Sequence, residues 1–266
     1  MPGHFTCYIV FMENTYLKTG YSLSRAVFDT EEIAIIKTIL QKHHSAWLKD
    51  NLAFYKQGAI NSAFLTDKKY LSPEERQTLF NFISQDLILD TVNQLIPDGP
   101  TFMNTQLFFN PCNSEQKNYW HRDLQYNDMS IEEQKKVLTS LNVIHVRIAF
   151  EDEPGLELIP GTHKRWDTPE EVAVRLQLHS KKNHFTLPKT KKIPLKSGDM
   201  LVFSANMIHR GLYGMGRFAL DILYCDPKVE LVKYAELDCL PDTEDMQAIR
   251  NSTPFELALK LKQQST

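Results

Sequence analysis

The sequence predicts a mainly β protein with flanking helices, an α+β chain in which a jelly-roll core follows a helical N-terminal layer. Three observations lead there. The apolar period changes from helical to strand-like near Thr101, the runs that follow are short and separated by Pro, Gly and Asn, and helix-start signals cluster on either side of and between them. With 266 residues, 42% of them hydrophobic and 24% charged, the chain has material for one large core. We read residues 1–266 as a single domain, with a mainly helical layer over 1–100, the jelly roll over 101–226 and a helical tail over 227–266.

Asp29-Thr-Glu-Glu32 has the form of a capping box, and Ile33, Ile36, Ile39 and Leu40 follow at helical spacing, so a helix is expected to about Leu48. Ser72-Pro-Glu-Glu75 repeats the signal with proline at the first helical position, ahead of Leu79, Phe82 and Ile83. Strands are expected at Phe102 to Asn110, Asn142 to Glu151, Leu156 to Ile159, Met200 to Ser204 and Arg217 to Tyr224. Short strands in such number form a sandwich or jelly roll. Two short helices interrupt them, one capped at Ser130-Ile-Glu-Glu133 and one at Thr168-Pro-Glu-Glu171. The tail from Thr243 to Thr266 reads as helix packed on the barrel's outside.

A net charge of −3 gives no broad basic surface, so nucleic acid is not an expected partner. The apolar start, Met1 to Met12, lacks a basic leader and a small-residue cleavage site, and no stretch approaches the roughly 20 apolar residues of a membrane span. Cys7, Cys112, Cys225 and Cys239 are scattered without zinc-site spacing and are read as reduced thiols of a cytoplasmic protein, Cys112 and Cys225 as small core residues. Oligomeric state is not readable.

The chemistry concentrates in Asn118-Tyr-Trp-His-Arg-Asp-Leu-Gln-Tyr126 and Ser204-Ala-Asn-Met-Ile-His-Arg-Gly211. His121 and Asp123, at i and i+2, suit a strand or its end, where alternate side chains leave one face about 7 Å apart. The distant His209 closes that face. Two imidazoles and one carboxylate leave three cis positions of an octahedron open, as non-haem Fe(II) needs in order to hold a bidentate cosubstrate together with O2. The histidines would bind as neutral imidazoles and Asp123 as a carboxylate.

These two segments, with Leu156-Glu-Leu-Ile-Pro-Gly-Thr-His-Lys164 between them and Arg217-Phe-Ala-Leu-Asp-Ile-Leu-Tyr224 after them, resemble the phytanoyl-CoA dioxygenase family of Fe(II)/2-oxoglutarate oxygenases, which includes the ectoine hydroxylases. The similarity runs from about Thr101 to Asp226. It implies a double-stranded β-helix and hydroxylation of an unactivated C–H bond of a small molecule, with release of succinate and CO2. Related halogenases lack the ligand carboxylate, and this chain keeps it at Asp123. The family places its cosubstrate arginine where Arg217 stands, and a guanidinium fork suits a carboxylate. Gln106 and Asn110 keep the Gln-x-x-x-Asn spacing with which ectoine hydroxylases bind the same cosubstrate, and i and i+4 on a strand share a face. The two short internal helices stand where insertions in this family form lids.

Other residues are read without the resemblance. Arg210, next to a ligand on a strand, should point away from the site. Arg147, between Val146 and Ile148, shares a face with His145, and we read that face as the solvent side. Tyr119, Trp120 and Tyr126 either wall the cavity or join the core. His163 is expected in a turn, His43-His44 on a surface helix and the basic run Lys181 to Lys192 in a solvated loop. Two other classes fit the same ligands: a cupin-like metal-dependent isomerase or lyase, and a non-catalytic metal-binding jelly-roll module. The substrate is not readable from these residues.

Overall fold

The computed structural model describes residues 15–264, and within them the strands form two antiparallel sheets. The larger runs β1 (Tyr21–Ser24), β7 (Met200–Ser204), β4 (Val143–Ala149), β9 (Phe218–Cys225), β3 (Thr101–Phe109), β2 (Asn61–Ala63). The smaller runs β6 (Lys191–Leu195), β5 (Glu153–Leu158), β8 (His209–Gly211), and a backbone bridge from His121 to His209 extends it. From β4 onward the chain passes repeatedly between the sheets, which makes the barrel a double-stranded β-helix. Two of the strands, β1 and β2, come from the first hundred residues, so that region is more than a helical layer.

Helix α1 (Thr30–Asp50) buries Ile33, Ile36, Ile39, Leu40, His43 and Trp47. Its capping box is half formed: Asp29 accepts from the Glu32 amide at 2.7 Å, but the Glu32 carboxylate accepts from Gln85 at 3.0 Å instead of returning to the cap. After the short α2 (Leu52–Lys56), α3 (Pro73–Ile83) has the full reciprocal box with Ser72 and Glu75. Helix α4 (Asp86–Leu95) completes the layer. Within the barrel segment, α5 (Ile131–Val137) and α6 (Pro169–Arg175) both carry complete boxes, at Ser130 with Glu133 and at Thr168 with Glu171. The tail holds α7 (Val229–Val232), α8 (Thr243–Ala248) and α9 (Thr253–Gln263), the last seating Phe255 against Phe102 at 5.0 Å between ring centres.

The helices cover the outer face of the larger sheet, and this arrangement sets the polarity of the whole barrel. Ile36, Leu40, Leu79, Phe80, Ile83 and Val92 pack with Ile144, Val146, Ile148, Val202, Leu220 and Ile222 in one large core outside the barrel. A smaller cluster, including Leu156, Leu158, Leu201 and Phe203, closes one end of the barrel between the sheets. The outer face of the larger sheet is therefore sealed from water by the helices, while its inward face lines a cavity and carries the polar groups.

No helix among the described residues is long and apolar enough to cross a membrane. Cys225 and Cys239 are buried free thiols, whereas Cys112 is exposed and not the core residue expected. Cys7 and the apolar start lie outside the described residues. Lys191 and Lys192, expected in a loop, open β6 with their side chains exposed.

Candidate metal centre and cavity

His121 and His209 meet through their backbones before their side chains do. The His121 amide donates to the His209 carbonyl and the His209 amide to the His121 carbonyl, both at 3.0 Å, which sets the imidazole centres 4.2 Å apart. Each Nδ1 faces the carbonyl two residues upstream, Tyr119 at 3.2 Å and Met207 at 3.1 Å. Donation there fixes the tautomer and leaves Nε2 as the free base. Asp123 opens a short 3-10 turn just past the strand end, its amide donating to the Ala205 carbonyl at 3.1 Å. Its Oδ1 lies 3.6 Å from both Nε2 atoms, and the three donor atoms lie within 4.8 Å of one another.

Arg122, between the two proximal candidates, points the opposite way. It is fully buried, donates to Asp167 at 2.7 Å and to the carbonyls of Thr162, Arg165 and Asn206, and so ties the loop of His121 and Asp123 to the loop that leads into His209. Arg175 of α6 shares the Asp167 carboxylate at 2.8 Å.

Burial lowers His121 and takes His209 down to about 3, helped in His209 by the charge of His121. Both rings are neutral at pH 7, the state a metal requires. Burial acts to raise Asp123, but the hydrogen bond from His145 and the positive charge of that ring outweigh it and hold this carboxyl well below the usual range.

His145 and Arg147 do share a face, but it is the inward one. Their side chains are 3% and 1% exposed as residues, and both line the cavity. The solvent-side reading fails because the helical layer already occupies the outer face, where Ile144, Val146 and Ile148 pack. Inside, a chain of buried charges runs from the candidate ligand. His145 Nε2 contacts Asp123 Oδ2 at 2.7 Å, its Nδ1 contacts Asp221 Oδ2 at 3.0 Å, and Arg147 donates to Asp221 Oδ1 at 3.0 Å and to both Glu153 oxygens at 3.0 and 3.3 Å. Burial opposes charge on His145, yet Asp123 and Asp221 together raise it to about 9. Arg147 is thus inward without offering its charge to an external anion.

Arg217 is the contrasting case. It is 3% exposed and lines the cavity, Nη1 donates to the Phe109 carbonyl at 2.8 Å, and Nε and Nη2 have no hydrogen-bond partner among the described residues. Burial, and then the nearby charge of Arg147, lowers it to about 10, so it remains a cation at pH 7. The Phe108 and Tyr213 rings lie 5.3 and 5.1 Å from its guanidinium carbon. Gly211 makes room for it, since a Cβ there would stand 2.6 Å from Nη2.

Gln106 also lines the cavity, level with Asp221 on the neighbouring strand, and accepts from Asn61 at 3.4 Å. Asn110 does not line it. The strand stops at Phe109, and the Asn110 amide holds the next turn instead, accepting from the Gly214 amide at 2.8 Å and donating to the Met215 carbonyl at 3.0 Å. Arg210 turns away, as strand alternation requires, binding Glu157 at 2.7 Å and stacking on Trp120 at 4.3 Å. Trp120 is core, packed with Ile159, Val174, Leu187 and Ile208, whereas Tyr119 and Tyr126 wall a cavity of about 560 Å³.

Sequence reasoning missed Asp221, Glu153 and the inward role of His145. A signal was present: an Asp, an Arg and a His inside apolar strands are tolerable only if they pair with one another.

The family model of phytanoyl-CoA dioxygenase (PhyH) matches residues 16–212. The chain belongs to this family. Its members use Fe(II), 2-oxoglutarate and O2. No curated protein matches the sequence. Among solved structures, HygX from Streptomyces hygroscopicus, with nickel, 2-oxoglutarate and hygromycin B bound, is similar at 12% identity and a TM-score of 0.60, over 81% of this chain and 85% of HygX. AviO1 from Streptomyces viridochromogenes Tue57 is 16% identical with a TM-score of 0.58, over 82% of this chain and 95% of its own. The non-heme alpha-ketoglutarate-dependent epimerase SnoN of nogalamycin biosynthesis is 15% identical with a TM-score of 0.52, over 84% and 82%. At these identities the likeness is one of fold, and PhyH-family membership rests on the sequence match.

Proposed function

We propose that this PhyH-family enzyme hydroxylates an unactivated C–H bond of a small molecule, with His121, Asp123 and His209 holding Fe(II) and Arg217 and Gln106 holding the far carboxylate of 2-oxoglutarate. The observation that carries the reading is Arg217. Among the described residues this buried guanidinium has two N–H-bearing nitrogens without a hydrogen-bond partner and no carboxylate in contact, and it lines the same cavity as a neutral-His, anionic-Asp donor set. A dicarboxylate supplies the anion and the metal the second anchor. Bound iron would supply the activation of O2. The chain's own share is to position and to exclude water. His121 and His209 stay neutral, Asp123 stays ionised, and Tyr119 and Tyr126 shield the His121 side of a cavity of small-ligand size, which suits an organic substrate. Asn110 is left with a supporting part, fixing the turn that presents Arg217.

Titrating 2-oxoglutarate into Mn(II)-loaded protein under nitrogen tests the site. Loss of a charge-assisted bidentate contact costs about 2–5 kcal/mol, so Arg217→Met should weaken binding by roughly 30-fold or more, while Arg210→Met leaves it within about threefold. Asp123→Ala should reduce Mn(II) affinity by at least roughly a hundredfold. Equal effects of the two arginine substitutions would move the carboxylate clamp elsewhere. Transfer of label from 18O2 into product separates hydroxylation from epimerisation, isomerisation or lyase chemistry.

A further inference from the structure

Asp123 presents its two oxygens to different partners. Oδ1 faces Nε2 of His121 and of His209 at 3.6 Å each, and Oδ2 is held by His145 Nε2 at 2.7 Å. We infer that His145 is a positioning residue that ties back Oδ2 and so confines Asp123 to one-oxygen binding of the metal. The inference rests on the metal-site reading proposed above.

The imidazole is built to stay where it is. Its other nitrogen is anchored on Asp221 Oδ2 at 3.0 Å, the second Asp221 oxygen is taken by Arg147 at 3.0 Å, and Arg147 is clamped in turn by both oxygens of Glu153. The ring lies nearly parallel to Phe203, 4.7 Å between centres and 18° between planes, at 3% residue exposure. Swinging it off Asp123 would also break its contact with Asp221, where both side chains are almost wholly buried.

The consequence is a matter of coordination number. Two imidazoles and one carboxylate oxygen leave three positions of an octahedron, enough for a chelating 2-oxo acid and O2. A released Oδ2 would compete for one of them, and the loser would be the cosubstrate and not the metal. The chain from Glu153 to Asp123 therefore protects an open position, acting through Asp123 and never touching the ion.

The test uses the full chain loaded with Co(II), whose visible spectrum reports coordination number. In His145→Leu, 2-oxoglutarate affinity should fall by roughly tenfold or more and the cobalt spectrum should change, while Co(II) affinity falls much less. In His145→Gln, whose amide can still donate to Oδ2, both readings should return to within about threefold of wild type. If the leucine variant does not fold, His145→Asn replaces it, its shorter amide keeping a partner for Asp221 without reaching Oδ2; asparagine unlike and glutamine like wild type supports the assignment. A leucine or asparagine variant with wild-type spectrum and wild-type 2-oxoglutarate affinity overturns it. Wild-type protein that binds neither Co(II) nor 2-oxoglutarate overturns this inference and the metal-site reading together, whereas wild-type binding of both with indifferent variants sinks the positioning role alone.

Discussion

Replacing Arg147 by methionine removes the cation that Glu153 and Asp221 share. Both carboxylates are 1% exposed, Glu153 would lose both of its contacts to Arg147, and Asp221 would keep only His145. Breaking a buried ion pair from one side costs about 3–5 kcal/mol, because the remaining charge stays out of water. Against a total stability of about 5–15 kcal/mol this is a large fraction. At about 2–4 °C per kcal/mol for a chain of this size, the melting temperature should drop by about 6–20 °C. Arg217→Met should behave in the opposite way, unchanged or higher in melting temperature because it removes a guanidinium with two unpaired nitrogens, but impaired in 2-oxoglutarate binding. Thermal melts of the metal-free proteins and anaerobic cosubstrate titration of the loaded ones read both effects. An Arg147→Met protein that melts within about 2 °C of wild type yet loses roughly tenfold in 2-oxoglutarate affinity would show that Arg147 grips an external anion and not its own carboxylates.

Gly211→Ala places a Cβ 2.6 Å from Arg217 Nη2 and should displace the guanidinium, weakening 2-oxoglutarate roughly tenfold with metal affinity retained; isothermal titration of each ligand in turn separates the two. Asn110→Ala should loosen the turn at Gly214 and Met215 and lower the melting temperature, with a smaller effect on cosubstrate affinity than Gly211→Ala, as the same two measurements check. Burial, with the charges of His44 and Lys164 respectively, lowers His43 and His163 to about 4. A folded pKa below the unfolded value means stability that is complete above about pH 6.5 and lost as pH falls towards 4, so the metal-free protein should melt earlier at about pH 5 than at about pH 7.5. His43→Phe should flatten that decline, and an unchanged slope would assign it to other groups.

What the sequence determined was local or marked by residue type. Ser72, Ser130 and Thr168 announce their helices because a cap and its partner lie three residues apart, within reach of any chain that starts to coil there. The longer strands β3, β4 and β9 were visible for the same reason, as runs long enough for a period to show. Strands β1, β2 and β8 have only three or four residues and exist because longer neighbours offer them a ladder, which no periodicity encodes. The convergence of His121, Asp123 and His209 was legible from ligand chemistry. The reach of the Asn110 amide was not, because it depends on the strand stopping at Phe109. Least legible of all was the direction of His145 and Arg147. Alternation along β4 says that two polar side chains share a face, but in this barrel helices dehydrate the outer face, so Ile144, Val146 and Ile148 face outward into apolar packing and the charges face in. Which side of a sheet is wet is a property of what packs against it, and only the tertiary structure decides that.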